Sequence, residues 1–440
     1  MQRWTWAIFA GLVGGCFNPQ GGGGEASTTT TTSAATSGSS TSAMASESTT
    51  SGPTTAPTST VADTTSGETS TTSTGTTSES SESSESGEST FGPSVLDFDE
   101  PEAILLKAPW AIVRARFDSD GVDDLAISTN DVVGGLVLIN GATRKPFDVM
   151  VSASPSYTLA AGDLQNDGIT DIVSASITGN FEVHLVTSGP SVSSGFAALD
   201  CGVPLRWVAL GDITGDTIAD AAVSCYGGSA YVSLQGDGDG LFTKGPVVAL
   251  GFMPVTLALA DLQGDAYNDL LLTRQGMEGA LEVFTGVGKT MFEEPVMSAP
   301  AMNAYGIAVA DVSGDGLPDV VIPRGLTSGL CTLVLGTGDG LGAVSEIPCG
   351  VSPYYAEIAD VTHDGILDIV VADEGVMNLG GALVVVAGVG GGVFAPPVSF
   401  PAEVMPRTLA VGDYDGDEDA DDVALAGQMG SVLVFVQSSN

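Results

Sequence analysis

Basic side chains are scarce in this sequence: 12 Lys and Arg stand against 54 Asp and Glu in 440 residues, a formal net charge of −42. A nucleic-acid binder displaces counterions from phosphates with a basic face, and twelve cations over this length cannot supply one. Electrostatic docking on an anionic membrane surface is excluded on the same ground. Aromatics are few at 6%, and only two His occur, His184 and His363. Neither has a nucleophile in a recognisable motif nearby, and HExxH, GxSxG, phosphate-cradling loops and zinc-type Cys/His clusters are all missing. No enzyme is therefore expected, although a site built across a central channel need not leave a linear motif. Apolar content, by contrast, is ample: 43% hydrophobic residues, 59 Gly and a mean hydropathy of +0.28 exclude a wholly disordered acidic chain.

Long hydrophobic runs are also missing. The apolar stretch Trp4 to Val13, preceded by Arg3, is too short to cross a bilayer but suits the core of a signal peptide. It ends in LVGGC, which resembles the lipobox of bacterial lipoproteins. The resemblance implies cleavage after Gly15 and acyl chains on Cys16, with residues 16–24 as the anchor region. Phe17 stands where an Asp would retain a lipoprotein at the inner membrane, so the resemblance further implies the outer membrane, contacted through the anchor only. Residues 25–90 hold 42 Ser or Thr and eight acids, with no Lys, Arg or aromatic. Nothing there offsets the entropy of ordering, so a disordered stalk is expected. Its root-mean-square span would be about 45 Å, and its extended reach about 220 Å.

Residues 91–440 are repetitive. An Asp-rich segment recurs seven times: RFDSDGVDD from Arg116, DLQNDGITD from Asp163, DITGDTIAD from Asp212, DLQGDAYND from Asp261, DVSGDGLPD from Asp311, DVTHDGILD from Asp360 and DYDGDEDAD from Asp413. The starts lie 47 to 53 residues apart. An apolar run precedes each segment (WVALG, TLALA) and another follows it (DIVSAS, DLLLTR), which reads as two strands joined by an Asp loop. A third run and a Gly-rich turn such as GDGDGLF come next, then a weaker fourth strand. Four short antiparallel strands in such a repeat mark the blade of a β-propeller. The last repeat lacks its outermost strand, and Glu102 to Leu106 supplies one too many at the start. The expected fold is therefore an all-β, seven-bladed propeller of four-stranded antiparallel blades, closed by an N-terminal strand that completes the seventh blade.

DxxxDGxxD between two strands, followed by a GxGDGxF-like turn, resembles the FG-GAP or VCBS repeat of integrin alpha-subunit propellers and many secreted bacterial proteins. The resemblance covers residues 97–440 and implies a calcium-binding adhesion or ligand-binding module. The loop chemistry is legible without it. Calcium takes six to eight hard oxygen ligands, and alternate positions of a tight loop turn several carboxylates toward one point. Numbering each loop from its first residue, the candidate ligands occupy positions one, three, five and nine. They are Asp163, Gln165, Asp167 and Asp171; Asp212, Thr214, Asp216 and Asp220; Asp261, Gln263, Asp265 and Asp269; Asp311, Ser313, Asp315 and Asp319; and Asp360, Thr362, Asp364 and Asp368. The last loop offers Asp413, Asp415 and Asp417, with Asp421 or Asp422 closing it. The first has Arg116 at position one, leaving Asp118, Asp120 and Asp124, and its guanidinium could replace the cation. About one Ca²⁺ per blade, six or seven in all, is expected. The alternative is that Asp and Gly merely cap turns.

Four cysteines remain besides Cys16. Cys331 and Cys349 flank a turn symmetrically and are expected to pair, as are Cys201 and Cys225. Taken together, the sequence points to a monomeric, calcium-binding, surface-anchored propeller that binds an extracellular protein or matrix partner. The alternatives are lectin-like glycan binding, with Trp207, Tyr226, Tyr305, Tyr354 or Tyr355 as stacking platforms, and a polysaccharide- or phosphoester-acting enzyme.

Overall fold

The computed structural model describes residues 96–440 except 131–134, 148–153, 188–190, 275–278, 327, 377–379, 403, 429 and 438–440. The leader, the lipid anchor and the stalk expected from the sequence lie outside the described residues.

Seven four-stranded antiparallel sheets follow one another along the chain. In blade 3 they run outward as Trp207–Gly211, Asp220–Cys225, Ala230–Gly236 and Phe242–Ala249. Each second strand is a continuous apolar run because both of its faces are covered by neighbouring blades. Asp171–Ser176, Asp220–Cys225 and Asp368–Asp373 are buried at every residue. Outer strands such as Phe242–Ala249 are largely exposed. The apolar core is accordingly divided into slabs, one at each blade interface. Val173 and Phe181 of blade 2 pack on Val208, Val223 and Val232 of blade 3, and six further clusters fill the other interfaces. A short ribbon, Gly388–Gly390 with Val393–Phe394, decorates blade 6.

Closure occurs where the repeat count places it. Glu102–Leu105 is the outermost strand of blade 7, with Glu102 opposite Val434 and Leu105 opposite Ser431. Ile104 enters the slab formed by Ile127 of blade 1 and Val432 of blade 7. Across the same seam the Asp123 amide donates to the Asp413 carbonyl at 2.7 Å. Equivalent bonds, Thr170 to Arg116 and Asn268 to Asp212, tie blade 2 to blade 1 and blade 4 to blade 3. Cys201 is bonded to Cys225 and Cys331 to Cys349, with Cα atoms 5.8 Å apart in both pairs.

The inner strands surround an axial channel of about 350 Å³, lined by small and apolar side chains such as Ala160, Ala209 and Ala258. Glu357 of blade 6 takes the strand position that Val113, Ala160, Ala209, Ala258, Ala308 and Ala410 hold elsewhere. Protein packs around it on every side, although the channel leaves it a strip of water-accessible surface. Burial pushes its carboxyl up to about 7, while the Val411 amide (2.9 Å), Arg114 and the Tyr355 hydroxyl draw it back. Because this folded value lies above the ordinary carboxylate range, the folded chain holds a proton that the unfolded chain has released between about pH 4.5 and 7. Stability from this group is therefore greatest at the acidic end and declines as pH rises through that window. Thermal melts from pH 5 to 8 should show a fall in melting temperature that is smaller in Glu357→Gln; an identical slope in the variant would remove Glu357 from the account.

Candidate functional site

All seven Asp loops join an inner strand to a second strand and so lie on one face of the propeller. Their backbone is common to every blade. Position six is left-handed throughout, at Gly121, Gly168, Thr217, Ala266, Gly316, Gly365 and Glu418. Glycine adopts that conformation freely, whereas Thr217, Ala266 and Glu418 hold it with a side chain attached.

The carboxylates divide into two sets. Those at position five are exposed, those at position one range from exposed at Asp163 to buried at Asp413, and both gather the loop's own amides. Asp163 accepts from Gln165, Asp167 and Gly168, and Asp261 from Gln263, Gly264, Asp265 and Ala266. Asp212, Asp311 and Asp360 do the same in their blades. Asp167, Asp216, Asp265, Asp315 and Asp364 each accept the amide two residues on. Burial opposes ionisation of Asp311, but the amides of Gly316, Gly314 and Asp315 outweigh it and hold the carboxyl below its ordinary value.

The position-nine carboxylate is turned inward. Asp124, Asp171, Asp220, Asp269, Asp319 and Asp368 are fully buried. In Asp220, Oδ2 accepts the amides of Ile213 and Thr214, and Oδ1 accepts Gly236 at the end of the third strand. The same staple recurs as Phe117 and Gly141 on Asp124, Leu164 and Val186 on Asp171, and Leu262 and Gly286 on Asp269. Ser313 and Gly336 grip Asp319, and Val361, Thr362 and Gly388 grip Asp368. A Cβ at Gly236 would lie 2.2 Å from the Ala219 carbonyl, so the amide that lands on the staple belongs to a glycine there. Burial pushes Asp124, Asp171 and Asp269 up to about 6; the stapling amides oppose the shift and the loop's other carboxylates add to it.

Position three reaches toward these groups with a hydroxyl or an amide. The Gln165 Oε1 is buried without a hydrogen-bond partner. The Gln263 amide end lies 2.5 and 3.0 Å from the two Asp269 oxygens, donating to both if its nitrogen faces inward. Ser313 Oγ donates to Asp311 at 3.4 Å. Among the described residues one set of three carboxylates comes within 4.8 Å of one another, Asp413, Asp415 and Asp417 of blade 7. There Asp422, not Asp421, forms the staple, accepting Tyr414 at 2.8 Å and Gln437 at 2.9 Å. Asp421 instead meets His363 Nε2 of blade 6 at 3.0 Å.

Residues 261–322 and 360–424 match the model of the FG-GAP-like repeat. The Asp loops of blades 4 to 7 fall within these matched segments. No curated protein matches the chain in sequence. Among solved structures, BP39L lectin from Burkholderia pseudomallei is similar at 17% identity and a TM-score of 0.57, over 77% of this chain and 98% of that one. BBS1N, solved in complex with ARL6DN, is similar at 12% identity and a TM-score of 0.54, over 79% and 99%. At these identities the likeness speaks to the fold alone.

The first Asp loop differs from the others. Arg116 does not reach its loop's carboxylates at Asp118 and Asp120; its Nε pairs with Asp123 at 2.7 Å, and Arg114 stands 3.6 Å from the other oxygen. Asn140 Nδ2 lies between Asp118 (3.1 Å) and Asp120 (3.3 Å), with its oxygen held by the amide and hydroxyl of Thr143. An amide donor thus occupies the space between two candidate ligands, contributed from a strand end too distant in sequence to be associated with the loop. His184 is buried in blade 2, its Nδ1 2.9 Å from Ser194 Oγ and its basicity lowered by burial. Of the aromatics singled out from the sequence, Trp207 and Tyr355 face each other in the channel at 6.0 Å. Tyr226, Tyr305 and Tyr354 stand at the end of the channel away from the Asp loops.

The two carboxylate sets separate by mutation. Asp220→Ala strips three amides, two of them buried, of their acceptor and should cost about 3 kcal/mol or more. Asp216→Ala in the same loop, in metal-free buffer, should cost under about 1 kcal/mol. Denaturant melts of both variants check this, and equal losses would contradict the division.

Proposed function

We propose that this FG-GAP-like propeller is a calcium-binding, non-catalytic binding module, displayed from a membrane by a lipid on Cys16 and the Ser/Thr-rich stalk, and engaging an extracellular protein or matrix partner. The observation that carries the calcium reading is the donor set. In blades 2 to 7, positions one and five present carboxylate oxygens, repeated on one face, with the Gln165 oxygen of position three buried and unpartnered and Asp413, Asp415 and Asp417 drawn together. Hard oxygen donors of this kind suit Ca²⁺. In blades 2 to 7 the residues at positions one, three and five would hold the ion. The position-nine Asp, occupied by amides, would hold the loop in shape beneath it. The ion would supply charge neutralisation, relieving the part of the upward shift that the loop's other carboxylates add to that of burial. In blade 1 the Asn140 amide already stands between Asp118 and Asp120 as a hydrogen-bond donor.

The binding reading rests on the sheet architecture. A glycan ligand is the second reading, favoured by the aromatic side chains at the channel mouth.

Calcium at a hundredfold excess over its dissociation constant should stabilise the fold by about 2.7 kcal/mol for each site filled. Asp315→Ala should lower the stoichiometry measured by calorimetry by one while the other blades still bind. An unchanged melting temperature after exhaustive chelation would overturn the calcium reading. For the anchor, Cys16→Ser should move the protein from the membrane fraction to the soluble one, and retention in the membrane would refute lipidation.

A further inference from the structure

Six residues before each Asp loop begins, blades 1 to 7 carry Trp110, Tyr157, Arg206, Val255, Tyr305, Tyr354 and Arg407. Each stands at or just before the start of its inner strand. The seven therefore crowd the channel mouth on the face opposite the Asp loops, about 20 Å away along the strand. They touch in order around the ring. Tyr305 stacks on Tyr354 with centroids 4.5 Å apart and planes within 6°. Arg407 lies 4.3 Å above Tyr354 and 5.8 Å from Trp110. Trp110 meets Tyr157 at 5.2 Å, and Arg206 lies 5.3 Å over Tyr157 and 5.5 Å over Tyr226. Val255 of blade 4 is buried and interrupts the ring, leaving it open on that side.

The two arginines differ. Arg407 is bonded to Glu374 at 2.6 Å. Arg206 has no carboxylate partner among the described residues, in a chain where acids outnumber bases more than fourfold. Aromatic faces hold its guanidinium flat and leave its edge donors unspent. Burial and Tyr354 push the Tyr305 phenol up, and Arg206 and Arg407 pull it back, so both cations act on the same mouth although they come from blades 3 and 7. Partly exposed Trp110, Tyr157 and Tyr305 add flat apolar faces, and the phenols add hydroxyl donors and acceptors.

A ligand matching this set has an apolar ring face for stacking, several hydroxyls, and one carboxylate for a planar guanidinium. We propose that the channel mouth binds an acidic sugar, a pyranose bearing a carboxylate at the end of a glycan, with Arg206 receiving the carboxylate and the Trp110, Tyr157 and Tyr305 rings receiving the sugar face. This rests on the second reading above, a binding module for glycans, and assigns it a site and a ligand class.

The test is calorimetric titration of the full-length, calcium-saturated protein with glucuronate- and galacturonate-terminated oligosaccharides, their neutral glucose- and galactose-terminated counterparts, and carboxylate-terminated peptides. The uronates should bind about tenfold or more tightly than the neutral sugars, as one charge-assisted pair confers. Arg206→Gln should abolish that preference at an unchanged melting temperature, and Arg206→Lys, which keeps the charge and the fold, should retain part of it. Trp110→Ala should weaken acidic and neutral sugars alike. Equal affinity for acidic and neutral sugars, a preference that survives Arg206→Gln, or binding of the peptides alone would each overturn the assignment. Capture of a protein partner that is insensitive to Arg206→Gln would do so too, while leaving the binding-module reading intact.

Discussion

A buried carboxylate at the head of every second strand is the interaction on which this propeller depends. It has one oxygen for the amides at the start of its own loop and one for the amide ending the third strand. Three pieces of each blade are thereby pinned at a single point. A loop held there can afford strained positions elsewhere, which is why Thr217, Ala266 and Glu418 tolerate left-handed backbone without being glycine. The same geometry explains the glycines at 141, 236, 286, 336 and 388, where a Cβ would meet the carbonyl of the residue before the staple.

The propeller has two chemically distinct ends. Nearly half of the chain's acids, 26 of 54, sit in the seven Asp loops, and eight more lie in residues 25–90, outside the propeller. The opposite mouth carries stacked rings and two guanidiniums, and Glu357 lies between the ends on an inner strand. Negative charge is thus concentrated at the Asp face, while the opposite mouth carries Arg206 and Arg407. An overall −42 describes the Asp face far better than it describes the surface a ligand would meet at the channel mouth.

The blade count, the strand order and the closing strand were legible in the sequence because each repeat spells two apolar runs around one Asp loop, and the phase of the first and last copies leaves a single way to close. The division of labour among the aspartates was not. An Asp at ligand spacing reads the same whether its oxygens meet a cation or a backbone amide, and burial alone tells them apart, as Asp171 and Asp167 show. Asp421 and Asp422 were interchangeable by spacing; only the strand register shows that Asp422 begins the strand. Arg116 invited an ion-substituting role, but its nearest carboxylate is Asp123, and Asn140 reaches the loop across a third strand that no local motif includes. The ring at the channel mouth leaves a signal that residue type alone obscures. Trp110, Tyr157 and the two arginines join Tyr305 and Tyr354 only when the repeats are aligned on their loops.

The strand that closes the ring also sets where load enters the molecule. Chain upstream of residue 96 joins the propeller at this strand, where Phe98 bridges Gln437 and Glu102–Leu105 pairs antiparallel with Ser431–Phe435. A pull on the bound ligand, resisted from the N-terminal side, would be borne first by that strand pair. If the force runs along the strands, their hydrogen bonds are loaded together in shear; if it runs across them, they open one at a time. The closing strand would then act as a mechanical clasp whose strength depends on the direction of the tug.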